Sequence, residues 1–201
     1  MAKAISKIVA ALMLLSVTCS AQNADIRWLR DINLNRSRSL DGSMIALTNS
    51  AYAVSAVVPV TELVAGYARH DSALIGKGYS TIAGLGCNFI VAFGLKYAVN
   101  RTRPYVTYPD LQPYQHDKDP SFPSGHSSFA FNTATSLYLS FPKWYVAVPA
   151  YVWAAGVAFS RLDLGMHYPS DVLAGAVVGM GTSWLAFQGN KWLHQYRKHK
   201  H

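Results

Sequence analysis

Five long apolar stretches, at 44–66, 79–98, 125–141, 144–161 and 171–189, alternate along the chain with short polar connections. Runs of this length exceed ordinary strands, so the pattern predicts helices, each close to the ~20 residues that carry an α-helix across a bilayer. Glu62 is the only charged side chain in the first stretch, and the interiors 79–95, 127–140, 144–160 and 172–189 hold none. An ionised group near a bilayer centre costs about 2.5–3.5 kcal/mol on an insertion scale, so this exclusion is what a spanning helix requires. The third stretch is rich in Ser, Thr and Asn and the fourth is short, which makes them the weakest spans. The expected fold is all-α, a bundle of about five membrane-embedded helices. A buried all-helical core in a soluble periplasmic protein is the competing reading.

Two segments precede the bundle. Lys3 and Lys7 lead into an apolar run at 8–17 that ends on the small residues Cys19, Ser20 and Ala21. That order is a secretory signal, cleaved after Ala21, with lipidation at Cys19 or retention as an anchor as alternatives. Between Asp25 and Asn35, Ile26, Leu29 and Ile32 share one face with Trp28 beside them, while Arg27, Arg30 and Asp31 point elsewhere. An interfacial helix lying on the bilayer is expected there. The chain thus divides into a signal (1–21), an interfacial segment (22–43), a helical core (44–190) and a basic tail (191–201). Export from residue 22 onward puts the connections at 69–77 and 142–143 and the tail inside, and those at 99–124 and 161–170 outside. Lys191, Arg197, Lys198 and Lys200 obey the positive-inside rule, whereas Arg27, Arg30, Arg36 and Arg38 oppose it.

Composition narrows the class. The 201 residues fit one domain, and 51% are hydrophobic but only 14% charged, against roughly 25% charged in average soluble domains. A disordered chain is excluded. The net charge of +8, from 18 Lys and Arg against 10 acids, forms no continuous basic stripe, so no nucleic-acid partner is expected. Cys19 and Cys87 make no disulfide framework, and Cys87, within an apolar run, reads as a buried inert thiol. His194, His199 and His201 read as a solvated basic end rather than a metal site.

Three polar clusters stand at helix ends, and alternating helices bring all three to the same outer face. They are Lys96 to Arg103-Pro104, then Pro123-Ser124-Gly125-His126, then Ser160-Arg161 to His167 and Asp171. Lys96, Arg103 and Arg161 supply fixed charge and donors suited to phosphate oxygens. Gly125 permits close backbone approach, the helix starting there aims N–H groups at an anion, and Ser124 adds a hydroxyl. Pro169 fits a first helical turn, from which Asp171 can reach back to His167. A carboxylate on one ring nitrogen leaves the other as a nucleophile, and His126 is then free to protonate a departing oxygen.

The pattern Lys96-x6-Arg103-Pro104, Pro123-Ser124-Gly125-His126 and Ser160-Arg161-x5-His167-x3-Asp171 resembles the complete signature of the type 2 phosphatidic acid phosphatase superfamily, over residues 25 to 190. The resemblance implies a phosphatase that needs neither metal nor other cofactor. It also implies a phosphohistidine on His167, Asp171 orienting it, His126 as general acid, and Lys96, Arg103, Ser124, Gly125 and Arg161 holding the phosphate. The expected substrate is a lipid phosphate or diphosphate, such as phosphatidic acid, phosphatidylglycerol phosphate, an undecaprenyl diphosphate or a lipid A phosphate. The expected place is the periplasmic face of an inner membrane. A soluble periplasmic acid phosphatase of the same superfamily, a vanadate-dependent haloperoxidase, and a non-catalytic scaffold or transporter are the competing functions. Arg101 has two open readings, interfacial anchor or secondary phosphate ligand. Asp163 and His116 read as loop residues, and Tyr105, Tyr108, Tyr114 and Phe122 as an aromatic belt at the membrane interface.

Overall fold

The computed structural model describes residues 23–198, so the expected signal segment and His199, Lys200 and His201 lie outside the described residues. The described chain is helical, with no strand. Helix α1 covers 23–34, and a 3-10 turn at Arg38–Leu40 runs into α2 (Asp41–Ala68). Then come α3 (Ser72–Val99), the single turn α4 (Pro104–Thr107), α5 (Gly125–Ser140), α6 (Trp144–Asp163) and α7 (Pro169–Lys198). Every expected helix is present, and α3 and α7 run well beyond the apolar pattern. Helix α3 starts at Ser72 because Asp71 caps it, its carboxylate accepting from the Leu74 N–H at 3.0 Å. Helix α7 continues to Lys198, so the basic tail from Lys191 begins as helix.

Helix α5 is the axis, packed against α2, α3, α6 and α7. Its 16 residues rise about 24 Å, short of a ~30 Å hydrocarbon core. The polar residues that weakened it as a span are buried and paired with its neighbours. Thr133 shares a hydrogen bond with Ser55 of α2 at 2.7 Å, and Ser136 with Ser183 of α7 at 2.9 Å. Asn132 donates to the Gly84 and Gly179 carbonyls and to the Thr182 hydroxyl. Helix α7 can approach this closely only through glycine, since a Cβ at Gly179 would lie 2.1 Å from the Ser128 carbonyl oxygen.

By length and composition α2, α3, α6 and α7 can each cross a membrane, yet no more than 39% of the most apolar window of any of them is buried in the protein. Ile90, Val152, Leu173 and Val177 face outward. Apolar surface on that scale requires lipid around it, so the soluble reading has no support. Cys87 is also exposed, contrary to expectation. The buried stripe of α3 runs through Thr81, Gly84, Asn88, Ala92 and Lys96, and Cys87 falls off it.

The end of the bundle that carries the 99–124 and 164–168 connections departs from the expected picture in one respect. Ile26 and Leu29 of α1 are buried against Tyr105, Leu111, Leu164, Met166 and Tyr168, and Asn33 donates to the Asp163 carbonyl at 2.7 Å. The inner face of α1 therefore meets protein, leaving Ile32 half-buried and Trp28 exposed. Tyr105, Tyr108 and Tyr114 belong to the same cluster and pin the 108–124 loop instead of forming a belt. Exposed aromatics stand at both ends of the bundle, Trp28 and Tyr97 at this one and Tyr67, Tyr79, Trp144, Tyr145 and Trp192 at the other.

Candidate active site

The ends of α3 and α6 and the starts of α4, α5 and α7 meet at one end of the bundle, around a cavity of about 200 Å³. Lys96, Arg103, Gly125, His126, Arg161 and His167 all line it, together with Tyr52, Gln115, Asp117 and Asp119. Six of the eight residues expected at the site thus share one small space. The other two stand directly behind it. Ser124 is buried as the N-cap of α5, accepting from the Ser127 N–H and hydroxyl. Asp171, in the first turn of α7, is buried behind His167.

His167 precedes α7 in the 164–168 connection. Its Nδ1 lies 3.6 Å from Asp171 Oδ2, and its Nε2 is 3.4 Å from Arg103 Nη1. The carboxylate favours the proton on Nδ1 and leaves the Nε2 lone pair on the cavity side. Burial, reinforced by Arg161 and Arg103 and opposed by Asp171, pushes the imidazole down to about 4. At neutral pH it is an uncharged nucleophile. Asp171 is held from several sides: Oδ2 accepts from the Ser121 hydroxyl at 2.5 Å and the Tyr168 N–H at 3.0 Å, and Oδ1 from Arg101 at 2.7 Å.

The cations differ in how they are satisfied. Arg161 is 1% exposed. Its Nη1 donates to the Thr48 hydroxyl at 3.0 Å, while Nε and Nη2 are buried without a partner. Unpaired buried guanidinium N–H groups are costly, and a phosphate would satisfy them. Lys96 and Arg103 are already engaged by Asp119, at 2.7 and 2.6 Å, and Arg103 also by Asp117 at 3.1 Å. The Lys96 and Arg103 charges hold the Asp119 carboxyl down at about 2. Asp119 thus occupies donors of both Lys96 and Arg103 in this structure. His126 packs its ring against Tyr52 at 4.6 Å between centroids. A Cβ on Gly125 would come 3.2 Å from the Tyr52 hydroxyl, so glycine keeps this wall open.

A second hollow of about 400 Å³ adjoins the first, sharing Tyr52, Lys96, Asp119 and Gly125 and continuing along Phe89, Ala92, Phe93 and Phe129. It is an apolar groove with charged groups at one end. Among the described residues no cluster of three His, Cys, Asp or Glu side chains is arranged to hold a metal ion.

Arg101 fits neither reading open in the sequence, since it points to Asp171, Ser170 and Asp25 rather than to lipid or the cavity. Asp163 ends α6 and is buried, and His116 lies in the loop with its ring against Tyr105. Asp119, Ser121, Tyr52 and Asp25 were missed. Asp119 and Ser121 stand just before Pro123-Ser124-Gly125-His126 and could have been suspected from that proximity. Asp25 shares the buried stripe of α1 with Ile26, Leu29 and Asn33, where a carboxylate is out of place.

The family model for the PAP2 superfamily matches residues 77–195. An undecaprenyl-diphosphatase of Sulfolobus acidocaldarius is 33% identical over 169 residues, covering 81% of this chain and 75% of the relative. The undecaprenyl-diphosphatase BcrC of Bacillus subtilis is 30% identical over 149 residues, covering 74% of each. Among solved structures, a transmembrane PAP2-type phosphatidylglycerolphosphate phosphatase from Bacillus subtilis superposes with a TM-score of 0.71 at 26% identity, covering 95% of this chain and 97% of that one. With its apolar outer surface and motif residues gathered at one end, the chain belongs to the PAP2 superfamily and is a multi-pass membrane phosphatase.

Proposed function

We propose that the protein hydrolyses a lipid phosphate or diphosphate through a phosphohistidine on His167, at the periplasmic face of an inner membrane. The observation that carries this reading is Arg161, a buried guanidinium with two unpartnered N–H groups, lining the same cavity as His167. A phosphate there displaces Asp119, takes up the free Arg161 donors, and spreads its oxygens over Lys96, Arg103 and Arg161 with Ser124 and Gly125 at the start of α5. His167 Nε2 attacks phosphorus, forming the P–N bond as the bond to the leaving oxygen breaks. His126 gives that oxygen its proton. It then takes a proton from water, whose oxygen attacks phosphorus and releases His167 and inorganic phosphate. Asp171 stabilises the imidazole throughout, and no step requires a metal.

The apolar groove supports a lipid substrate, because a hydrocarbon chain can lie along Phe89, Phe93 and Phe129 while its phosphate meets the cations. The named relatives act on different lipid phosphates, an isoprenoid diphosphate for two and phosphatidylglycerolphosphate for the third. Their common element, a phosphate on a membrane-held chain, is the substrate class assigned here. Two of the four arginines at the site end are neutralised locally, Arg30 by Asp110 and Arg36 by Asp41, which weakens their vote against a periplasmic orientation.

One assay tests the whole reading: phosphate release from a panel of lipid mono- and diphosphates, on intact spheroplasts and on detergent-purified protein, with and without EDTA. Hydrolysis by intact spheroplasts, insensitive to EDTA and abolished by His167→Ala, is expected. Activity that appears only after permeabilisation overturns the orientation, and full activity in His167→Ala overturns the covalent mechanism.

A further inference from the structure

Behind the catalytic pair lies a second ionic layer that the phosphate never touches. Arg101 Nη1 donates to Asp171 Oδ1 at 2.7 Å, and Arg101 Nη2 to Asp25 Oδ2 at 2.9 Å. The guanidinium lies 3.8 Å over the Tyr168 ring, which fixes its plane. Asp25 accepts from the Ser170 N–H at 2.8 Å and from the Ser170 hydroxyl, which also accepts from Arg101 at 2.7 Å. Asp25 and Asp171 are both buried. A carboxylate from α1, a cation from the α3–α4 connection and a carboxylate from α7 thus form one line ending at His167. Buried charges in such a line are tolerated only while each has its counter-ion, so removing one disturbs the rest.

We infer that Asp25 and Arg101 are positioning residues for the reaction, Asp25 holding the guanidinium that orients Asp171, so that α1 completes the catalytic apparatus from outside the bundle. The inference rests on the assignment of His167 and Asp171 as nucleophile and orienting carboxylate. Asp25 also accepts from the Ser170 N–H in the first turn of α7, so it ties α1 to the element that carries Asp171 as well as to Arg101. The charged groups facing the His167–Asp171 pair are Arg101 from the α3–α4 connection, Asp25 from α1, Arg103 at the N-cap of α4, Arg161 from α6 and Lys96 from α3, with the titratable His126 of α5 across the cavity. Asp25 and Arg101 are the two of these that do not line the cavity.

The two residues carry opposite charges, so their removal has opposite consequences. In the free enzyme His167 must be neutral to attack, and the acid limb of kcat/KM follows its imidazole. Asp25→Asn leaves Arg101 less compensated, disfavours the imidazolium and moves the limb to lower pH. Arg101→Gln leaves two uncompensated carboxylates near the ring and moves it to higher pH, each by about half a unit or more. Both lower kcat about 10- to 100-fold through misorientation, with KM changed less than about threefold.

The experiment measures kcat, KM and the pH profile of the purified full chain with a short-chain lipid phosphate, for wild type, Asp25→Asn and Arg101→Gln. Asp25→Ser, a smaller uncharged replacement, serves if the amide is not accommodated. Arg30→Ala is the docking control: it breaks the exposed α1 pair with Asp110 without touching the ionic line, and retains activity within about twofold. Opposite shifts with lowered kcat are the expected result. Unshifted limbs, shifts in one direction, or full activity in both variants overturn the inference. His167→Ala and Asp171→Asn run alongside: if either is fully active, the underlying catalytic assignment fails, whereas if both are inactive and the limbs stay in place, only the role of Asp25 and Arg101 fails.

Discussion

On the proposed reading Asp119 is the carboxylate that a phosphate displaces, and its pairing with Lys96 and Arg103 offsets two of the three cations around the cavity. Held at about 2 by Lys96 and Arg103, it is ionised throughout the working pH range and gives up its contribution only as pH falls from the ordinary carboxylate range through about 2. Asp119→Asn keeps the shape and removes the competing anion. Inorganic phosphate and vanadate should then inhibit about fivefold more tightly, the equivalent of about 1 kcal/mol for a charge pair at 4 Å in water. A competition assay reads this directly, and unchanged or weaker inhibition shows that Asp119 does not share the phosphate position. At this scale the sequence was informative where residue type and motif spacing coincide, at Lys96, Arg103, His126, Arg161, His167 and Asp171. It was silent on Tyr52, which reaches the cavity from α2 with no motif around it. It misdirected on Arg101, because one of two neighbouring arginines is turned toward Asp171 only by the fold of the α3–α4 connection.

The elements were legible from the apolar pattern because lipid-facing and buried positions of a membrane helix are both apolar, which makes the spans conspicuous. The same property hid which face is which. Cys87 and the residues around it were indistinguishable from a core until the small-residue stripe of α3 was seen against α5 and α7. Helix α1 was harder still, since an amphipathic helix on a bilayer and one docked on a protein loop share one sequence pattern. Only the carboxylate and amide within its apolar face pointed to protein. The α5–α7 contact makes a specific demand, because a Cβ at Gly179 meets backbone oxygen and nitrogen that cannot rotate away. Gly179→Ala should destabilise by about 1–3 kcal/mol. Gly181, with open space at its Cβ position, should tolerate alanine without loss. Thermal unfolding in detergent compares the two, and equal stability would contradict the close packing.

The whole molecule joins two solvents. Four long apolar helices face lipid, the polar side chains within the bundle are turned inward on α5 and on the faces of α2, α3 and α7 that meet it, and the cations of the cavity sit at one end of the bundle. An apolar groove opens from that end, and on the proposed reading it lets a substrate keep its chain in the membrane while its phosphate reaches His167. The charge excess has a corresponding layout: part is neutralised at the site end by Asp25, Asp110, Asp117 and Asp119, and part is spent on the unpaired donors of the cavity. The central claim is that His167 carries the phosphoryl group, and rapid acid-free quenching of purified protein with a phosphorus-labelled lipid phosphate tests it most directly. The account predicts a labelled protein whose bond is stable in base and lost in acid, mapped to the peptide containing His167 and absent in His167→Ala. Turnover by wild type with no labelled intermediate, or label on a residue other than His167, would contradict it.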